Sequence, residues 1–326
     1  MHPLSIHTVW LASLLCALAA AAFAAIGADY PAKPVKIITQ GAAGSGPDVL
    51  ARIVADHLAR RWGQPALIVN HPGGGGIAAA RAAAMAEPNG YTLYLPTITT
   101  FVILPELHDN LGFEIDRQFA PIGLVAETPM MIAVGPALGV SSLAELIARA
   151  RAQPGTIFYA ANNRGSLPHL TGELLRRRTE IELNFVPYPG VNAGLQDLMG
   201  GRIAMIVESV GALSGAVKTG AVKALAVAAA QRLPNLPDVP TVSETTPGFV
   251  AVGWFVLAAP ATVPPNIIQR LNQDLNAVLQ QEALRHRFEE LGAFVRPMSP
   301  QQTVEFIRAE QQAWRPIVRQ VELKVK

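Results

Sequence analysis

The sequence has one cysteine, 6% aromatic residues and 15% charged residues, and each scarcity removes a class of function. A single cysteine excludes a disulfide framework and a cysteine-rich zinc site. So few aromatics leave no stacking surface for nucleic-acid bases. Twenty-six basic residues against 24 acidic give a net charge of +2. No Lys/Arg block concentrates that charge, so there is no footprint for tracking phosphates. A charge this small does not argue for a membrane partner either. The seven histidines show no H-E-x-x-H or comparable spacing, so neither a metal nor a cofactor is expected. What the chain has in quantity is apolar residues, half of its 326. That excludes a disordered protein. At ~100–200 residues per domain it supplies two domains or one large one.

Val9 to Ile26 is one apolar run rich in Leu and Ala, and no charged residue precedes Asp29. Its small-residue ending reads as a secretory signal peptide over residues 1–28, cleaved within 24–28. The rival reading is a single membrane anchor, because the run approaches spanning length. His2 and His7 are the only basic candidates in the n-region. Cys16 follows Ser13-Leu14-Leu15, and a bulky Leu stands where lipoprotein processing needs a small residue. Cleavage leaves a chain without cysteine, which suits an oxidising compartment and excludes thiol catalysis.

Beyond the leader, short β-rich runs alternate with helical stretches. Strands are expected at 35–39, 66–70, 91–95, 130–134, 156–160, 183–186, 203–207 and 222–228. The first helix runs from Pro47 to about Trp62, with Asp48 in its first turn and Gly63 past its end. Ser142-Leu143-Ala144-Glu145 reads as a capping box for a later helix. The last third reads as helical, with helices opening at Pro264/Pro265 and at Ser299-Pro300. Such alternation predicts an α/β fold of βαβ units and mostly parallel sheets. Ligands in such sheets bind at the carboxyl ends of strands, against helix N-termini. The candidate site therefore lies on loops 41–48, 97–100 and 161–169. No internal repeat stands out.

Gly73–Ala78 satisfies G-x-G-x-x-A, but the next strand ends Leu95-Pro96-Thr97 without the ribose-binding acid of a dinucleotide site, so the glycines read as a turn. Ser45 lies between glycines, yet a nucleophile elbow needs glycine at 43 and 47, where Ala43 and Pro47 stand. The better account is a loop whose backbone amides cradle an anion at a helix start. Asp48 is then either a first-turn dipole partner or an acceptor within the site. His169 follows Pro168 at another helix start, where it caps, packs or faces the ligand. Arg164 lies in the polar loop before it and has the geometry to grip a carboxylate bidentately. Read from the residues alone, this is a secreted α/β binder.

Several stretches resemble the substrate-binding proteins of tripartite tricarboxylate transporters, the Bug or TctC-like receptors. They include Tyr30–Ile38, Ala42–Asp48 with Ala51-Arg52, and Asn70-His71-Pro72-Gly73. Pro88–Leu93, Phe119–Ile122, Pro168-His169-Leu170, Val186-Pro187-Tyr188 and Leu236–Val242 follow in the family's order. The resemblance implies a two-domain periplasmic binding protein-like fold (type II) with a hinge and a ligand cleft. It implies domain 1 over 29–129 plus 253–326, and domain 2 inserted over 130–252. It also implies a monomeric, non-enzymatic receptor that delivers a small organic acid to membrane permease subunits. The implied ligand contacts are Ala43, Gly44, Ser45 and Asp48 on one side, Asn163, Arg164, Gly165, Ser166 and His169 on the other, with Thr97, Thr99 and Glu208. Gln40-Gly41 replaces the family's Pro-aromatic pair, Glu208 a common Asp, and Arg164 a smaller residue. An added cation favours a larger, aromatic or second carboxylate. The rival functions are a secreted hydrolase using Ser45 and a receptor that signals to a membrane sensor.

Overall fold

The computed structural model describes residues 30–108, 111 and 114–321; the proposed leader lies outside them. Nine strands are β1 (Val35–Thr39), β2 (Ala66–Asn70), β3 (Thr92–Leu95), β4 (Phe119–Val134), β5 (Phe158–Ala161), β6 (Asn184–Pro187), β7 (Met205–Ser209), β8 (Lys223–Val227) and β9 (Val252–Pro260). The longer helices are α1 (Gly46–Trp62), α2 (Ile77–Ala84), α3 (Leu143–Ala152), α4 (Leu167–Thr179), α5 (Val191–Met199), α6 (Val210–Lys218), α7 (Pro265–Leu279), α8 (Glu282–Glu290) and α9 (Pro300–Gln320). The strands form one path, β2-β1-β3-β9-β4-β7-β5-β6, with β8 also on β4.

This path divides along β4. Phe119 to Pro129 pair antiparallel with β9, whereas Met130 to Val134 pair with β7 on one side and β8 on the other. The sequence suggests a strand only at 130–134, and the part of β4 outside that range contains Pro121, Gly123 and Pro129. The structure places Pro121 beside a slip in register and Pro129 where the strand changes partners. At such places proline's missing N–H is tolerated. β9 likewise corrects the helical reading of the last third. The expectation of mostly parallel sheets also fails in part. β1–β2, β1–β3, β5–β6 and β5–β7 are parallel, but every pairing of β4 and β9 is antiparallel. These two strands join the two parallel trios.

Helices cover both faces. Leu50, Val54 and Leu58 of α1 pack with Ile267, Leu271 and Leu275 of α7 and Phe288 of α8. On the other face one apolar cluster runs across both halves, from Tyr94, Phe101 and Trp254 to Leu170 and Leu174 of α4, and includes Trp314 and Val318 of α9. A third cluster, around Met131, Ile206 and Leu213, fills the far side of the second half. α9 opens with a complete capping box of Ser299 and Gln302. The expected box at Ser142 is only half formed. Ser142 accepts from the Glu145 amide, but the Glu145 carboxylate takes the amide and hydroxyl of Ser141 instead.

The slip at Pro121 orphans the Ile122 carbonyl, and buried Asn272 of α7 satisfies it. The Asn272 Nδ2 group donates to Ile122 O and to Met298 O, both at 2.7 Å. A Cβ at Gly123 would lie 3.1 Å from that amide and 3.0 Å from Leu275, so the bare glycine admits the helix. Asn272→Ala leaves the buried Ile122 carbonyl unpaired, at ~1–3 kcal/mol, while Met298 O keeps the Asn276 amide at 3.2 Å. Thermal melts should show a loss of about 2–12 °C for a chain of this size; an unchanged midpoint would refute this account of the bulge.

Candidate functional site

The expected loops follow β1 and β5, each the middle strand of a parallel trio, and both have one design. Gly44-Ser45-Gly46-Pro47-Asp48 opens α1, and Gly165-Ser166-Leu167-Pro168-His169 opens α4. Gly44 and Gly165 have φ of 79° and 81°, a left-handed conformation that only glycine adopts without strain. Ser45 and Ser166 are extended N-caps with φ/ψ of −71°/161° and −69°/157°. Each donates its amide three residues back, Ser45 to Ala42 O at 3.0 Å and Ser166 to Asn163 O at 2.9 Å. Proline occupies the first turn of both helices, where a missing donor costs nothing. The sequence contains a repeat after all, but at five residues, with three identities, it is too short to register as one.

The fifth-residue side chain locks each turn. The Gly44 amide donates to Asp48 Oδ2 at 2.9 Å, and the Gly165 amide donates to His169 Nδ1 at 3.1 Å. Asp48 also receives Arg52 at 2.9 Å and Asn70 at 2.8 Å, and Asn70 reaches Gly41 O as well. The hydrogen bond from Arg52 outweighs the cost of burial and, with those from Asn70 and Gly44, lowers the Asp48 pKa to about 2. His169 is buried and stacks on Phe185 at 4.1 Å. Burial lowers its pKa to about 4, so the ring is neutral and carries its proton on Nε2. Asp48 accepts these bonds from Gly44, Arg52 and Asn70, His169 packs on Phe185, and the amides of Gly44 and Gly165 are committed internally.

The turns differ at their hydroxyls. Ser166 Oγ accepts from the His169 amide, whereas Ser45 Oγ is buried with no hydrogen-bond partner. Gly41 lies against it: a Cβ there would sit 2.8 Å from Ser45 Oγ and 3.1 Å from the Asp48 amide. Ala43, Gly44, Asn163 and Arg164 are exposed, and Ser45 is half-buried.

The loop after β3 joins this site through Gln40, which the sequence marks only as half of the Gln40-Gly41 pair that replaces a Pro-aromatic pair. Gln40 Nε2 donates to Thr97 Oγ1 at 3.0 Å, and Gln40 Oε1 accepts from Thr100 Oγ1 at 2.8 Å. The Thr99 amide also reaches Thr97 Oγ1. Thr97 bridges Phe255 of β9. Two residues along, a Cβ on Gly253 would lie 3.4 Å from Leu167 of the second turn. The loops of both halves thus converge over β9. Glu208, at the end of β7, is buried; its carboxylate accepts from the Ser209 amide at 2.8 Å and bonds to Asn162, while burial raises its pKa. Asn70 and Asn162 were missed, since only the folded turns show what they tie. Gly73–Gly76 form a turn that leaves no room for a Cβ between Gly76 and Gln40.

The Asp48 lock makes stability pH-dependent. Its folded pKa lies below the ordinary 3.8, so its contribution is present above about pH 4 and is lost as pH falls towards about 2. Half-exposed Arg52 is screened by water, which limits the effect to ~1 kcal/mol. Urea melts should show Asp48→Asn less stable than wild type by that amount at neutral pH, with the gap closing below about pH 4. A constant gap would rule out the carboxylate as the cause.

The tripartite tricarboxylate transporter family receptor model matches residues 50–323. Protein BugT of Bordetella pertussis is 35% identical over 306 residues, covering 93% of this chain and 94% of BugT. Among solved structures, R. palustris Rpa4515 with adipate matches at a TM-score of 0.80 and 31% identity, covering 88% of this chain and 97% of that one. MatC from Rhodopseudomonas palustris with bound malate matches at 0.75 and 30%, covering 89% and 100%. The chain belongs to the tripartite tricarboxylate transporter receptors, periplasmic solute receptors rather than enzymes.

Proposed function

We propose that the first turns of α1 and α4 hold opposite ends of a small dicarboxylate, which this receptor carries as a monomer to its permease. The carrying observation is the unpartnered, buried Ser45 Oγ at the start of a 17-residue helix. Its twin, Ser166, is spent as a cap. A buried hydroxyl without a partner is costly, and a carboxylate oxygen beside Gly41 would satisfy it together with the free first-turn amides. Ala43, Ser45, Thr97 and Thr99 line the first side in this reading; Asn163, Arg164 and Ser166 line the second. Gly44, Asp48, Gly165, His169 and Glu208 hold the turns in shape. The adipate and malate bound by the two relatives support a dicarboxylate.

The domain division that fits this reading is 29–129 plus 253–326 against 130–252, with the hinge where β4 changes partners. A hydrolytic Ser45 is disfavoured, because activating a serine needs a base within hydrogen-bond reach and Ser45 Oγ has no such partner.

A thermal-shift panel of mono-, di- and tricarboxylates on residues 29–326 tests the reading. A ligand at 100 times its Kd should add roughly 2.7 kcal/mol, a rise of several degrees. Ser45→Ala should weaken that ligand about tenfold or more, the value of a hydrogen bond to a charged group. Small-angle scattering should show compaction at saturation; unchanged dimensions would remove hinge closure from the proposal.

A further inference from the structure

The two turns correspond residue by residue, and besides the locks, ionised Asp48 against neutral His169, one position differs in charge: Arg164 stands where the first turn has Ala43. Arg164 is exposed and, among the described residues, makes neither a hydrogen bond nor an ion pair. Its guanidinium rests 5.5 Å from the centroid of the Phe185 ring. The same ring packs on His169, so the cation stands beside the lock of the second turn. The neighbouring acids are engaged elsewhere. Glu173 is held by Arg176 at 2.9 and 3.0 Å and by Tyr159, and Glu208 is buried against the Ser209 amide.

The second turn therefore lacks what the first one offers. Its serine hydroxyl, unlike that of Ser45, caps the helix, and its glycine amide, like that of Gly44, is locked. Arg164 is the charged donor left on that side, next to the positive end of a 13-residue helix. An exposed cation–π contact is worth only about a few-fold in affinity. A bidentate bond to carboxylate is worth about ten- to hundred-fold, so a carboxylate wins the guanidinium from Phe185. We infer that Arg164 is the specificity-determining residue that makes this receptor select ligands with a second carboxylate. The first turn binds one carboxylate through Ser45 and backbone amides, and Arg164 leaves Phe185 to grip the other. This inference rests on the dicarboxylate reading above.

Calorimetric titration with chain-matched pairs tests it: succinate and butyrate, glutarate and valerate, adipate and hexanoate. Each pair differs only in a carboxylate replaced by methyl. Wild type should prefer the diacid of its best pair by at least about tenfold. Arg164→Ala should weaken that diacid about ten- to hundred-fold and change the monoacid by less than about two-fold. Arg164→Lys should recover part of the loss, because a lysine keeps the charge without the fork. Equal losses for diacid and monoacid would show a structural role and overturn the inference. A wild type that prefers diacids, with the preference intact in Arg164→Ala, would overturn the inference and leave the dicarboxylate reading standing. A wild type that binds no diacid above its monoacid would remove both.

Discussion

The change of partners within β4 is the constraint on which the rest of this molecule depends. One 16-residue strand gives its first part to β9 and its second to β7 and β8. Each part is fixed by its own antiparallel ladder. Every polar group near the junction needs a partner. The Met130 amide donates to Ala251 O, and Met130 O accepts from Ala228. Further back, a side chain has to supply the missing partner, which is the work of Asn272 at Ile122.

On either side of that junction the chain uses the same turn twice. A left-handed glycine, a serine cap, a proline and a locking side chain hold the helix start against its strand. The locks reach one geometry by different chemistry. Asp48 is an ionised acceptor with a full set of partners, and His169 is a neutral ring held so by burial. Neither lock offers charge to a ligand. The reading proposed above leaves recognition to the unpaired Ser45 hydroxyl on one side and Arg164 on the other. A scaffold of internal bonds thus separates the groups that hold shape from those left to bind.

The clusters set how far the halves can move apart. The apolar cluster containing Trp254 and Trp314 continues into α4. Arg177 of α4 also bonds to Gln320 at the end of α9, reaching its carbonyl at 2.6 Å. Glu106 receives Arg315 and Arg319 of α9, both at 2.6 Å. α9 therefore runs along the back of both halves. The hinge proposed at β4 would keep or shear that contact, as in a hinge with one packed side.

The sequence by itself determined the local elements, because hydrophobic period, caps and turn residues act within a few positions. The strand at 35–39, the α1 helix up to Gly63 and the glycine-rich start of the site were legible that way. So was the candidate loop at 161–169, with Arg164 and Ser166. Tertiary structure decided what depends on partners distant in sequence. β9 and the first part of β4 carry proline and glycine that local rules read as breaks, and only their mutual pairing makes them strands. Asp48 and His169 look like ligand groups until Asn70, Arg52 and Phe185 are brought beside them. Gln40 became a link between two loops only when β1 and β3 were paired. The reason is physical: a side chain's role follows from which donors and acceptors the fold leaves it, and that accounting closes only across the whole chain.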